Sequence, residues 1–131
     1  MDTFKIYYPV RPCNITQGFG ENIEYYKQIG LQKGHNGLDI EAYHGQPVHA
    51  THDGIAYLSV DSKEGVGYVL VSDKLFPYNG SECAFKTIYW HLCSLSDPKF
   101  APVVQSGTKV KAGDLLGYAD STGFSTGDHL H

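Results

Sequence analysis

The sequence predicts a mostly β fold with little helix, a barrel-sandwich hybrid built from two related β-halves. Short runs rich in Val, Ile and Tyr recur between Gly or Asp-Gly punctuation, as expected of strands joined by tight turns. Gly (15) and Pro (6) are spread along the chain rather than gathered in a tail, so the elements between them are short. The segments Gly45-Gln46-Pro47-Val48-His49-Ala50 and Gly107-Thr108-Lys109-Val110-Lys111-Ala112 share the pattern G-x-x-V-x-A at an offset of 62 residues. Two copies are too few for a solenoid but suit a barrel or sandwich of two halves. A length of 131 residues suits one domain spanning 1–131. With 41% hydrophobic and 18% charged residues, the chain can bury a core and carries too little charge for disorder.

Strands are expected at Phe4 to Tyr8, Leu38 to Ile40, Gly54 to Val60, Val66 to Ser72, Thr87 to Leu92 and Leu115 to Tyr118. The only window with helical character is Glu21 to Ile29, and its apolar spacing is irregular. Asp73 to Lys86 contains Pro and Asn-Gly without a clear period and reads as a loop. Its Phe76 and Tyr78 either line a groove or cover the core.

Several function classes are excluded. No apolar run approaches the roughly 18 residues of a membrane span, and the N-terminus lacks the basic-then-apolar layout of a signal peptide. A net charge of −4, with no basic cluster longer than Lys109-Val110-Lys111, argues against nucleic acid as a partner. Cys13, Cys83 and Cys93 are odd in number and lack CxxC spacing; they read as buried thiols, with a Cys83–Cys93 bridge as the minority alternative.

Seven histidines concentrate the chemical interest, because imidazole is the usual metal ligand and titrates near neutral pH. His129 and His131 stand at i and i+2, on one face of a strand and about 6.6 Å apart, with Leu130 turned to the other face. His35-Asn36-Gly37-Leu38-Asp39 adds an imidazole and a carboxylate. Fully extended, these two would be about 13 Å apart, so the backbone must curl near Asn36-Gly37 for both to reach one ion. Two His and one carboxylate leave a fourth tetrahedral position open, as in catalytic zinc sites. His91, in Tyr89-Trp90-His91-Leu92, is a third element on an expected strand whose neighbours Ile88, Trp90 and Leu92 look like core.

These residues resemble the lysostaphin/LytM-type zinc metallopeptidases, peptidoglycan endopeptidases marked by H-x-x-x-D, a later His after an aromatic-containing strand, and H-x-H. The resemblance covers residues 15–131. It runs through Ile15-Thr16-Gln17-Gly18-Phe19-Gly20, Gly34 to Ile40, Val48 to Gly54, Val110 to Gly117 and Ser125 to His131. It implies that His35, Asp39 and His131 bind one Zn2+ per chain, with His91 and His129 as the catalytic pair. His44, His49 and His52 match no functional position of the family and read as solvated or structural. Where the family has Pro before H-x-H and continues past it, this chain has Asp128 and stops at His131. The expectation is either weakened zinc affinity or a fragment lacking the C-terminal end of the domain, with a less well held sheet edge near the site.

The expected function is a zinc-dependent endopeptidase cutting peptide cross-links of bacterial peptidoglycan, as a monomer. The Gly-rich approach Gly123-Phe124-Ser125-Thr126-Gly127 would let backbone come close to a small peptide. One alternative is a catalytically inactive wall-binding or activator module of the same fold. A more remote one is a lipoyl- or biotinyl-type carrier: the only Met is Met1, which argues against biotin, and Asp73-Lys74 is the conceivable lipoyl site. Without an export signal, delivery on a bacteriophage particle, release at lysis, or loss of an upstream signal would bring the enzyme to the cell wall; phage delivery is favoured.

Overall fold

The computed structural model describes residues 3–122, 125 and 127–131. In chain order its elements are β1 (Ile15–Gln17), α1 (Ile23–Gln28), β2 (Asp39–Glu41), β3 (Pro47–His49), β4 (Gly54–Val60), β5 (Val66–Ser72), β6 (Phe76–Tyr78), β7 (Ser81–Cys83), β8 (Lys86–Tyr89), β9 (Thr108–Val110), β10 (Leu115–Tyr118) and β11 (His129–Leu130). The one helix lies inside the expected window, and the fold is mostly strand.

The β4–β5 hairpin is the backbone of the molecule. Its register is continuous from Gly54 opposite Ser72 to Val60 opposite Val66, and it is flanked in the order β8-β5-β4-β9. Alternation along β5 points Val66, Tyr68 and Leu70 into a core shared with Val10, Val48, Leu92 and Leu116. Gly54 and Gly67 are dictated by packing. A Cβ on Gly67 would lie 2.1 Å from the Trp90 ring and 2.2 Å from Tyr89 O, and one on Gly54 would lie 2.1 Å from Val71 O.

The repeated G-x-x-V-x-A segments form matching turn-and-strand units. Gly45 and Gly107 both take left-handed backbone (φ 84 and 88), and the Val of each copy is buried. β3 pairs with β10, and β9 pairs with β4. Ala50 N donates to Asp114 O (2.8 Å) and Gly113 N to Ala50 O (2.9 Å), so each unit is stitched to the other.

The expected mostly β fold with little helix is present, its four sheets among the described residues staying open. Three expectations are corrected. Phe4 to Tyr8 is not a strand: one backbone bond, Tyr7 N to Thr51 O, ties it down, and Phe4 anchors it by stacking 4.6 Å from Phe85. Asp73 to Lys86 is not a structureless loop but holds the β6–β7 hairpin, whose turn places Asn79 and Gly80 at φ 48 and 77. Asn-Gly favours that turn because both residues tolerate positive φ. There Phe76 packs 5.2 Å from Phe4, while Tyr78 stays exposed. Finally, β8 stops at Tyr89, and Ile88 points outward from this edge strand rather than into the core. All three cysteines are free thiols; Cys93 is buried, whereas Cys13 and Cys83 are half-buried.

Candidate active site

β2 runs between β1 and β11, with Glu41 opposite His129 and Ile40 opposite Leu130. Ile40 and Leu130 enter the core, which sends Asp39, His129 and His131 to the opposite face. His131 is tied to the neighbouring segment by Trp90 N donating to its carbonyl at 2.8 Å. His35 arrives from the turn before β2. Its backbone is clamped by His35 N to Glu21 O (2.9 Å) and Gly20 N to His35 O (2.8 Å). That approach is close enough to demand glycine at 34, where φ is 87 and a Cβ would sit 2.5 Å from Gly20 O.

The curl expected between His35 and Asp39 is present as a bend at Gly37, and a left-handed Gly34 leads into it. Gly37 serves by leaving space. A Cβ there would lie 3.0 Å from both Cε1 and Nε2 of His131.

Three donor atoms close into a triangle. His35 Nε2 is 3.0 Å from His131 Nδ1, His131 Nδ1 is 3.0 Å from Asp39 Oδ1, and His35 Nε2 is 3.2 Å from Asp39 Oδ1. A tetrahedral zinc with ligands at about 2.0–2.1 Å has ligand-to-ligand edges of about 3.3–3.4 Å, so the triangle is within a few tenths of an ångström of one face. His35 Nδ1 donates to Gly18 O at 3.2 Å, which turns His35 Nε2 toward His131 Nδ1 and Asp39 Oδ1. Two imidazole nitrogens and one carboxylate oxygen so placed form a donor set whose N/N/O chemistry fits zinc.

His91 and His129 stand beside this triangle, their ring centroids 4.6 Å apart, with His91 6.0 Å from His131. His129 Nε2 lies 3.5 Å from Asp39 Oδ1. His91 sits beyond the end of β8 at φ 63, a conformation non-glycine residues seldom adopt. It is held there by Asp120 N donating to its carbonyl (2.9 Å) and by its own Nδ1–H donating to Thr122 O (2.6 Å). His129 Nδ1–H donates likewise to Gly127 O at 2.8 Å. Both imidazoles thus hold a carbonyl with Nδ1 and leave Nε2 for other partners. Burial pushes His91 below its ordinary value, against the opposing Thr122 carbonyl, so it is neutral at neutral pH.

Thus all five residues singled out from the sequence converge. Of the other histidines, His52 is buried and structural, bonded to Asp53 O and Thr87 Oγ1. His49 is half-buried on β3. His44 is exposed and paired with Asp120 at 3.0 Å. Asp128 is exposed, and its charge joins the stronger influence of Asp120 in raising His44. Gly123, Phe124 and Thr126 of the Gly-rich approach lie outside the described residues.

Sequence reasoning missed the supporting shell. The carbonyls of Gly18, Thr122 and Gly127 set the imidazole tautomers, and a backbone carbonyl leaves no residue-type signature. Tyr26 packs its ring 5.3 Å from His35 and donates its hydroxyl to Gln17 Oε1 at 3.0 Å. Its one signal was an aromatic pair in the only helical window. A groove of about 270 Å3, lined by Phe19, Leu31, Gly34 and Asn36, reaches His35. A larger cleft of about 1100 Å3, beside Tyr7, Tyr43 and His49, contains none of the five site residues.

A two-histidine, one-carboxylate triangle with further imidazoles at its rim is the kind of site found in hydrolytic metalloenzymes. Comparison with known proteins agrees. Residues 33–131 match the profile of Peptidase family M23, and the chain belongs to that family. It is 35% identical over 97 residues to the DD-carboxypeptidase/endopeptidase Mpg of Neisseria meningitidis serogroup B, covering 74% of this chain and 19% of that protein. The chain thus spans about a fifth of the length of the curated relatives it matches. Among solved structures it is similar to a zinc-containing peptidase from Vibrio cholerae (TM-score 0.72, 28% identity, 98% of this chain and 36% of that one). It is also similar to the catalytic domain of lysostaphin from Staphylococcus simulans (TM-score 0.63, 27% identity, 91% of this chain and 77% of that one). Membership of that family sets the carrier reading aside.

Proposed function

We propose that the chain is a zinc-dependent endopeptidase that hydrolyses peptide cross-links of bacterial peptidoglycan, with His35, Asp39 and His131 as metal ligands and His91 and His129 as the catalytic pair. The observation that carries this reading is the triangle of donor atoms 3.0–3.2 Å apart, close to one face of a zinc tetrahedron. When bound there, zinc supplies Lewis acidity, lowering the pKa of water and polarising a carbonyl.

The chain's own residues do the rest. His129 presents its Nε2 at the edge of the triangle, placed to accept a proton from the attacking water and return one to the leaving amine. His91 is kept neutral by burial, so a second proton acceptor stands beside it at working pH. Asp120 and Thr122 hold His91 in its left-handed conformation and so fix where that acceptor points. The groove along Phe19 and Asn36 offers one wall for an extended peptide.

The relative from Neisseria carries DD-carboxypeptidase/endopeptidase in its name, so a bond of that class is the first to test. Among the described residues no helix is long and apolar enough to cross a membrane. The decisive experiment is digestion of purified cell walls by the zinc-loaded chain, with and without chelator, followed by mass identification of the new termini. Expected are new peptide ends that vanish with chelator and return with zinc. A fully zinc-loaded, folded chain that releases no peptide ends would sink the reading.

A further inference from the structure

We propose that His44, Cys93 and Asp120 form a second site for a zinc-class divalent cation, distinct from the His35–Asp39–His131 triangle. His44 Nδ1 lies 3.0 Å from Asp120 Oδ1, and one donor atom from each of His44, Cys93 and Asp120 lies within 4.8 Å of the other two. Imidazole, thiol and carboxylate meeting at one point suit a borderline-soft ion. Calcium and magnesium, which take oxygen ligands, are poorly served by it.

The three donors come from separate segments registered on one stretch of chain. Leu92 bridges Ala119, Cys93 N donates to Tyr118 O (2.9 Å) and Gly45 N donates to Ala119 O (2.8 Å). Their relative positions are therefore set by backbone bonds. Cys93 is fully buried, and its Sγ has Ala119 O at 3.4 Å, a weak partner for a thiol. His44 is exposed and its ring packs edge-on to Phe100 at 5.7 Å, so the site opens to solvent on one side. An ion can enter there and keep water as its fourth ligand.

Without a cation, burial pushes the Cys93 thiol up to about 12. On binding, a metal–sulfur bond forms and the thiol proton leaves to solvent, so uptake releases one proton per ion. His44 stands on the exposed turn between β2 and β3, so this site is held less firmly than the triangle and its affinity is lower. The site is also joined to the catalytic pair, because Asp120 N donates to His91 O (2.9 Å) and His129 N donates to Asp120 O (3.2 Å).

The test is a cobalt titration of the wild-type chain and of His35→Ala, Cys93→Ser and His44→Ala. It follows thiolate-to-cobalt charge transfer in the near ultraviolet, with zinc counted by equilibrium dialysis. Wild type is expected to take a second, weaker equivalent and to show the thiolate band. His35→Ala should lose the tight equivalent and keep the band. Cys93→Ser should lose the band, and His44→Ala, at an exposed position that leaves folding intact, should weaken the second site by more than about tenfold. Absence of the band from wild type, or second-site binding by His44→Ala equal to wild type, would overturn the proposal. If Cys93→Ser does not fold, the His44→Ala result decides alone. Loss of the tight site in the proposed enzyme would leave the thiolate band in place, so the two readings fail separately.

Discussion

The four-stranded sheet and the three-stranded sheet of this molecule are built on different principles. In β8-β5-β4-β9 the central strands are seven residues long, pair without interruption and bury Val66, Tyr68 and Leu70 in the core. In β1-β2-β11 the strands have two or three residues, the β1–β2 register is irregular, and only Ile40 and Leu130 are buried. Asp39 and His129 lie on the second sheet, with His35 just before it and His131 just past it. Burial of apolar side chains secures the first, at about 1.5–3 kcal/mol for each large residue. The second is secured by specific bonds, among them Trp90 N to His131 O and His35 N to Glu21 O. A long sheet thus provides stability, while a short one, with one face free of core duties, holds ligands.

Breaking the first sheet should have the largest effect. Gly67→Val sets a side chain against Trp90 and Tyr89 O, and is expected to cost more than about 4 kcal/mol, read as loss of the folded circular-dichroism spectrum at room temperature. The same chain with His35→Ala should stay folded, yet lose its tight zinc and all turnover. His91→Ala separates roles within the second sheet's neighbourhood: zinc content is retained while kcat falls by about 10²–10⁴. If His91→Ala loses zinc as well, the division into ligands and catalytic pair is wrong. Gly37→Ala presses a methyl against the His131 ring at 3.0 Å. Zinc affinity should fall by about tenfold, with thermal stability of the metal-free chain nearly unchanged. The smallest effect concerns pH. Because burial lowers His91 in the folded chain, the unfolded chain binds more protons between the ordinary value of 6.5 and the lowered one. Stability of the metal-free protein should therefore fall as pH drops through that window. His91→Gln should flatten the fall; an unchanged pH profile would contradict the burial argument.

The same contrast explains which elements were legible in the sequence. The β4–β5 hairpin and β10 stand where β-rich runs between glycines placed them, because long strands with a buried face leave a repeating pattern. Phe4 to Tyr8 has strand composition and no strand, because its aromatic anchor, not backbone pairing, ties it down. The two-residue β11 and three-residue β1 are too short to show any period. Asn79-Gly80 was visible as a turn signal, but the strands on either side of it lack the alternation that would have identified a hairpin.

For the site, the H-x-x-x-D and H-x-H spacings and a histidine beside an aromatic pair drew attention to His35, Asp39, His91, His129 and His131, and the family resemblance implied their roles. Only the tertiary structure decided that donor atoms separated by 92 and 96 positions in the chain meet 3.0 Å apart. It also decided that Gly37 is present for space and Gly34 for its left-handed backbone, and that His91 lies past the end of its strand. The physical reason is common to all three. Side-chain chemistry is local and written in the residues, whereas convergence, tautomer and available space depend on backbone carbonyls and neighbours that any sequence can supply.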